Sequence, residues 1–327
     1  MKEALKSIIE ELVSNNLYQP YRGANLSSKD VRLIKLHELN KIEKAIDNKN
    51  DYSLIPYVNG EQNFIAIISK VDFLSNYFEI PIGVITQLVC TSNDVLQNYT
   101  AGKVLASGIL DLATRKLGIE YISVNVPVEN IGLIRALEQY GFRYTEGFIN
   151  MVNTTGYQVL AEKQFEHVEF HEAIESDLYD IEHAYAESRF PSRFLTEEGF
   201  DDDDALSLYS HRFREVYNKD IGYIIVVKIK DKFAGAIIVA IDEELYKYTG
   251  LKLNLRSGMG LIIDPKMRGM LAGTALVNHR QGLYKAMGVQ NVSLGTNISN
   301  KPMIICLEKL GFKYGCQELT MSRWINI

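Results

Sequence analysis

The stretch DPKMRGMLAGTAL, residues 264–276, opens with a strand-breaking Asp-Pro and runs into good helix formers, with Arg268, Gly269 and Gly273 between them. A basic residue and glycines at a strand-to-helix turn leave backbone N–H groups free to hold an anion. A second candidate is SRFPSRF (188–194), where Arg189 and Arg193 stand four apart and Pro191 argues against an unbroken helix. Paired guanidinium groups beside Phe190 and Phe194 suit a nucleotide, diphosphate on the forks and base on a ring. Surface arginines over a hydrophobic staple are the alternative. Cys90, Cys306 and Cys316 lack metal-ligand spacing, His167, His171, His183 and His211 are scattered, and Asp201–Asp204 reads as a solvated loop or helix start. No metal is expected. Cys306 itself reads as a small buried hydrophobe.

The elements that must carry these residues follow from the whole chain. At 327 residues it exceeds one typical domain, so two of about 150 residues each are expected. Hydrophobic residues make up 46% and charged ones 23%, an ordinary globular balance. A net charge of −6 excludes a general affinity for nucleic acid or anionic membrane, so any anion must be held locally. The opening MKEALKSIIEELVSNN alternates charge and aliphatics like an amphipathic helix, lacks a signal-peptide core, and no window approaches a membrane span. A reduced, cytoplasmic protein is expected, and a homodimer is compatible with it.

The chain repeats itself. NIGLIRALEQYGFRY (130–144) and NKPMIICLEKLGFKY (300–314) align without gaps, GIEYISV (118–124) matches GVQNVSL (288–294) at the same offset, and QNYTAGKVL (97–105) matches RGMLAGTAL (268–276) one residue further on. Three blocks in one order imply two copies of one domain. In the second copy YIIVVKIK (223–230), AGAIIVAID (234–242), GMGLIID (258–264) and NVSLGTN (291–297) read as strands. Helices are expected from the glycine turn to about Met287 and over KPMIICLEKL, stopped by Gly311, before a last strand in FKYGCQELTMSRWI. The expected fold is an α/β mixed sheet with helices on its faces, with domains at 1–155 and 156–327.

This order of motifs resembles the GCN5-related N-acetyltransferase (GNAT) superfamily. Its acyl-CoA pattern, Gln/Arg-x-x-Gly-x-Gly/Ala, falls on Arg268, Leu271 and Gly273, and its later block, Asn-x-x-Ala-x-x-x-Tyr-Glu-Lys-x-Gly-Phe, on Asn300, Met303, Leu307, Glu308, Lys309, Gly311 and Phe312. FLSNYFEIPIG (73–83), YGFRYTEGFINMV (140–152) and ESDLYDIEHAYAESRFPSRF (175–194) resemble stretches of TDP-fucosamine acetyltransferase and related nucleotide-amino-sugar acetyltransferases. The resemblance implies tandem GNAT domains, the first degenerate and the second working. Acetyl-CoA, the acyl donor, would then lie along Leu261, Ile262 and Ile263, with its pyrophosphate on Arg268, Gly269, Met270, Leu271, Ala272, Gly273 and Thr274. Asn297, Asn300, Met303 and Leu307 would meet the rest of it, Asn300 serving equally as a helix cap. The acceptor would be an amine on a small substrate, a nucleotide-linked amino deoxy sugar first, with Arg189, Phe190 and Arg193 as its contacts.

The implied reaction is direct attack of the amine on the thioester, its carbonyl polarised by backbone N–H groups around Ile262–Ile263. A carboxylate closing the preceding strand, Asp242, Glu243 or Glu244, would be the base, unless the turn is merely a solvated acidic one. Many relatives protonate the departing thiolate with a tyrosine where this chain has Leu307, and leucine cannot. Tyr284, Tyr246, Tyr314 and Cys306 are the candidate substitutes. Two alternatives stand beside this reading: acylation of another small amine or a peptide, and a silent CoA- or nucleotide-binding scaffold. Gly273→Glu is expected to weaken acetyl-CoA binding, and Gly102→Glu in the first copy to leave it untouched.

Overall fold

A computed structural model describes residues 2–16, 21, 23–47, 52–59, 62–153, 160, 165, 167–189, 192–219, 221–254 and 260–325. In chain order the first copy contains α1 (Lys2–Asn15), α2 (Ser28–Asp47), β1 (Tyr52–Asn59), β2 (Gln62–Lys70), α3 (Asp72–Phe78), β3 (Ile82–Cys90), α4 (Val95–Leu112), β4 (Tyr121–Pro127), α5 (Ile131–Gln139) and β5 (Arg143–Asn153). The second contains β6 (Val168–Glu172), α6 (Glu175–Ser188), α7 (Arg193–Thr196), α8 (Asp202–Lys219), β7 (Tyr223–Ile229), β8 (Lys232–Val239), α9 (Glu243–Thr249), β9 (Leu253–Asn254), β10 (Leu261–Ile263), α10 (Ala272–Ala286), β11 (Asn291–Asn297), α11 (Lys301–Lys309) and β12 (Lys313–Trp324).

By density of contacts the chain forms two compact units, one of Met1–Arg22, Leu26–Phe148 and Gln317–Ile327, the other of Gly23–Asn25 and Ile149–Cys316. The division expected at 155/156 lies outside the described residues. The two long strands β5 and β12 each begin in one unit and end in the other. This corrects the expectation that the last strand simply closes the second copy: Glu318–Trp324 pair antiparallel with Pro127–Tyr121 of β4.

Strand alternation explains why both faces of each sheet are covered. In the first unit Phe64, Ala66 and Ile68 of β2 face a core with α4 and α5, while Ile65 and Ile67 face one with α1 and α2. Its strands run in the order β1-β2-β3-β4-β12-β5. In the second unit the sheet β10-β8-β7-β6 is antiparallel throughout. Ile224 and Val226 of β7 pack towards α6 and α8, and Ile225, Val227 and Ile229 towards α10 and α11.

What positions the site is a change of partner along residues 253–263. Leu253 and Asn254 pair parallel with Asn291 and Val292 of β11, whereas Leu261–Ile263 pair antiparallel with β8 in the other sheet. Residues 255–259, which include the start of the expected strand 258–264, lie outside the described residues. Among the described residues β10 and β11 share no ladder, and a cleft opens between them.

Candidate functional site

The cleft has a volume of about 660 Å³ and mostly apolar walls. Leu261, Ile262 and Ile263 form one wall, and the turn Arg268–Gly269 with Leu271–Thr274 forms a second. Asn297, Asn300 and Met303 form a third. Met270 is half exposed and does not line it.

The turn leaves donors without partners for a backbone reason. Gly269 (φ 85°) and Leu271 (φ 64°) are both left-handed, which turns the chain sharply into α10. Leu271 is the N-cap and makes no side-chain cap, so the first-turn N–H groups of Ala272, Gly273 and Thr274, which have no intrahelical acceptor, stay free among the described residues. With the positive end of the helix dipole behind them they fit a phosphate-type anion. Leucine replaces the motif glycine where glycine would be unstrained, and its half-exposed side chain gains little from burial. Leu271→Gly is therefore expected to stabilise the fold by about 0.5–1 kcal/mol, measured by denaturant unfolding. A loss of stability would show that the leucine side chain holds the turn.

At the neighbouring strand, register decides which backbone groups reach the cleft. Ile238 N–H donates to Gly260 C=O (2.6 Å) and Asp264 N–H to Ala234 C=O (3.1 Å), so Ile262 faces β8 opposite Ala236. Alternation then turns the polar groups of Leu261 and Ile263 outwards on this edge strand. Of the expected pair Ile262–Ile263, only Ile263 presents its N–H to the cleft, joined by Leu261.

Several expected side chains lie elsewhere. Leu307 is 0% exposed and packs in the core with Leu310, three residues on; its neighbour Cys306 lines the cleft instead. The Asp242 carboxylate caps α9, accepting from Leu245 N–H at 2.9 Å, and Glu243 sits in solvent 3.6 Å from Lys247. Neither lines the cleft. Tyr284 is fully buried, its hydroxyl donating to Ala240 C=O at 2.8 Å, so it anchors α10 to the end of β8. Tyr246 and Tyr314 are exposed and also lie off the cleft.

Arg189 is exposed at the C-terminus of α6, next to Ser188, which does line the cleft. Arg193 places its guanidinium 4.6 Å over the Phe194 ring, and that ring is buried edge-on against Phe200, so Phe194 is closed to a base. Phe190 and Pro191 lie outside the described residues. Glu187, next to Ser188, is ion-paired with Lys266 of the turn at 2.9 Å; that hydrogen bond holds its carboxyl below, and the Lys266 amine above, their ordinary values.

Sequence reasoning missed Ser188, Met267, Ser299 and Pro302 on the cleft walls. The helical spacing of Pro302, Met303 and Cys306 was the available signal for one wall. Asn300 caps α11, accepting from Met303 N–H (3.3 Å), and donates to Thr296 (3.1 Å), so it serves structure while facing the cleft. Among the described residues no group of three or more His, Cys, Asp or Glu side chains is placed to hold a metal ion, and no helix is long and apolar enough to cross a membrane.

The first unit differs at the matching positions. Ala272 matches Ala101, but α4 starts six residues before that, at Val95, so Gln97–Thr100 are already helical. The Asp94 side chain caps α4, accepting from Gln97 N–H at 2.7 Å. A Cβ on Gly132, the counterpart of Pro302, would strike Val95 C=O and come within 2.8 Å of Asn98, so α5 sits hard against the start of α4. Buried Asn98, Asn130 and Cys90 fill the space, linked by contacts of 3.7 and 3.8 Å through the Cys90 sulfur.

Residues 176–312 match the model of the acetyltransferase (GNAT) family. No curated protein sequence matches the chain. Similar solved structures include a GCN5-related N-acetyltransferase from Sphaerobacter thermophilus, at 13% identity and TM-score 0.52 over 90% of this chain and 91% of that one. A tandem GNAT protein from the clavulanic acid biosynthesis pathway, solved without acetyl-CoA, is 15% identical with TM-score 0.50 over 98% and 94%. A functionally unknown conserved protein from Staphylococcus epidermidis is 12% identical with TM-score 0.50 over 85% and 96%. At these identities the likeness is one of fold. Residues 176–312 thus match the GNAT family model, within a chain that takes the two-domain fold of a tandem GNAT protein.

Proposed function

We propose that the second unit binds acyl-CoA in this cleft and transfers the acyl group, acetyl first, to an amine. The observation that carries the proposal is the uncapped first turn of α10 opening onto a cleft whose opposite wall is an unpaired strand edge. Free N–H groups from Ala272 to Thr274, with Arg268 beside them, suit the pyrophosphate. The apolar walls suit the pantetheine arm, and Leu261 and Ile263 offer backbone N–H groups to the thioester carbonyl.

The leading acceptor is an amine on a nucleotide-linked deoxy sugar. Its support is the sequence resemblance over 73–83, 140–152 and 175–194, together with exposed Arg189 beside the cleft-lining Ser188. A second reading, a silent CoA-binding protein, is favoured by one observation: among the described residues the cleft walls carry no carboxylate, histidine or tyrosine.

A thermal-shift titration with acetyl-CoA, CoA and TDP-linked amino sugars tests the reading. At 100 times its Kd each true ligand is expected to raise Tm by about 5–10 °C. Shifts with both classes, followed by CoA release when the two are combined, support the sugar acetyltransferase. A CoA shift alone leaves the amine open, CoA binding with no turnover across primary amines and peptides supports the silent protein, and no CoA shift sinks the proposal.

A further inference from the structure

We propose that Cys306 is the proton donor to the departing coenzyme A sulfur, an inference that rests on the acyl transfer proposed above. Pro302, Met303 and Cys306 form one stripe of α11 along the cleft, and Cys306, 9% exposed, is its buried end. The Thr274 side chain, in the first turn of α10, also lines the cleft and lies close enough to act on the thiol, which sets Cys306 beside the anion-binding turn. Among the described residues on the cleft walls, Cys306 and Arg268 are the ionisable ones, and arginine does not release its proton.

A second observation points to a ligand at the same place. Asn297 lines the cleft and is 6% exposed; its Oδ1 accepts from both the backbone N–H (2.9 Å) and the hydroxyl (2.7 Å) of Ser299. The backbone donor fixes which side of the amide carries oxygen, which leaves Nδ2 of this cleft-lining residue as a donor with no partner among the described residues. A buried amide donor held this way fits an acceptor atom of a bound molecule, such as a carbonyl oxygen or sulfur. Burial pushes the Cys306 thiol up, opposed by the Thr274 side chain and the nearby Lys309 charge. Cys306 therefore holds its proton at neutral pH, unlike a nucleophilic thiolate.

The step balances without an oxidant or reductant. The amine nitrogen bonds to the carbonyl carbon, and the carbon–sulfur bond breaks with its electron pair on sulfur. The Cys306 proton passes to that sulfur, giving CoA thiol and Cys306 thiolate. The proton shed by the newly acylated nitrogen returns to Cys306 through water.

The test treats the full chain with CoA disulfide at about pH 9, where enough of the Cys306 thiol ionises to attack. Exchange joins the Cys306 sulfur to one CoA and releases the other as thiolate, so an adduct reports that the two sulfurs meet. Peptide mapping is expected to find CoA on Cys306, with oxidised glutathione at equal concentration giving none. Cys306→Ala and Cys306→Ser are expected to keep the acetyl-CoA thermal shift but to release CoA from acetyl-CoA and methylamine about 10²-fold more slowly than the parent. No adduct in a protein that acetyl-CoA stabilises, or equal release rates, nil included, overturns the role of Cys306 and leaves the acyl-CoA site standing. No stabilisation of the parent by acetyl-CoA overturns both.

Discussion

Gly273→Glu is expected to lower acetyl-CoA affinity at least about 10²-fold, or about 3 kcal/mol, with the fold intact. A Cβ at Gly273 would meet only the Ile263 side chain, at 3.6 and 3.7 Å, which is ordinary contact. Packing therefore does not require glycine there. A carboxylate in the first turn of a helix is also favourable to the helix itself. What glutamate takes is the position of the bound anion, against which its charge works. Calorimetric titration beside a thermal melt separates the two effects: unchanged affinity would falsify the placement of the pyrophosphate. The matching change at Gly102 cannot serve as the silent control expected from sequence. Its Cβ would come within 2.8 Å of Ala136 Cβ and 3.0 Å of Leu133 Cδ1, so Gly102→Glu is expected to break the α4–α5 contact. Thr100, exposed on α4 and the counterpart of Leu271, is the better site for a charge that should leave affinity unchanged.

A chain ending at Cys316 is expected to lose cooperative folding of the first unit altogether. Residues 317–324 lie between β4 and β5 in its sheet, so their removal takes out an interior strand. With them go Met321 and Thr320, both 0% exposed, the Trp324 ring 5.0 Å from Tyr121, and the Arg323 hydrogen bond to Tyr140 C=O. Met321 alone contributes about 2–5 kcal/mol on the scale of core truncations, against about 5–15 kcal/mol for a whole domain. For the same reason residues 1–155 expressed alone should be molten or insoluble. A sharp thermal transition and dispersed amide spectrum from that fragment would show that the unit does not need the strand.

The repeat, the alternating strands and the glycine turn were legible because each rests on local periodicity or on a backbone conformation that few residues adopt. The turn declared itself through Gly269 and Gly273 even though Leu271 occupies a left-handed position. Side-chain direction was harder. Leu307 and Cys306 differ by one residue, about 100° around a helix, and that rotation decides between core and cleft. Leu307 and Leu310 at i and i+3 were the sign that this side faces inward. Asp242 followed by Glu243, Glu244 and Leu245 carries the pattern of a helix cap, and the cap consumes the carboxylate proposed as a base. The strand exchange left no local trace, because β12 has the composition of a last strand whichever sheet receives it.

That exchange also sets a schedule. Translation finishes residues 1–148 long before it reaches 317–327, so the first unit waits for that strand while the second copy is made. During that interval β4 has no partner on one side and presents an open edge, the kind of surface that recruits foreign strands. The vulnerable species in the life of this protein is therefore the nascent chain, and a stop that removes residues 317–324 damages a unit whose other strands were all synthesised earlier.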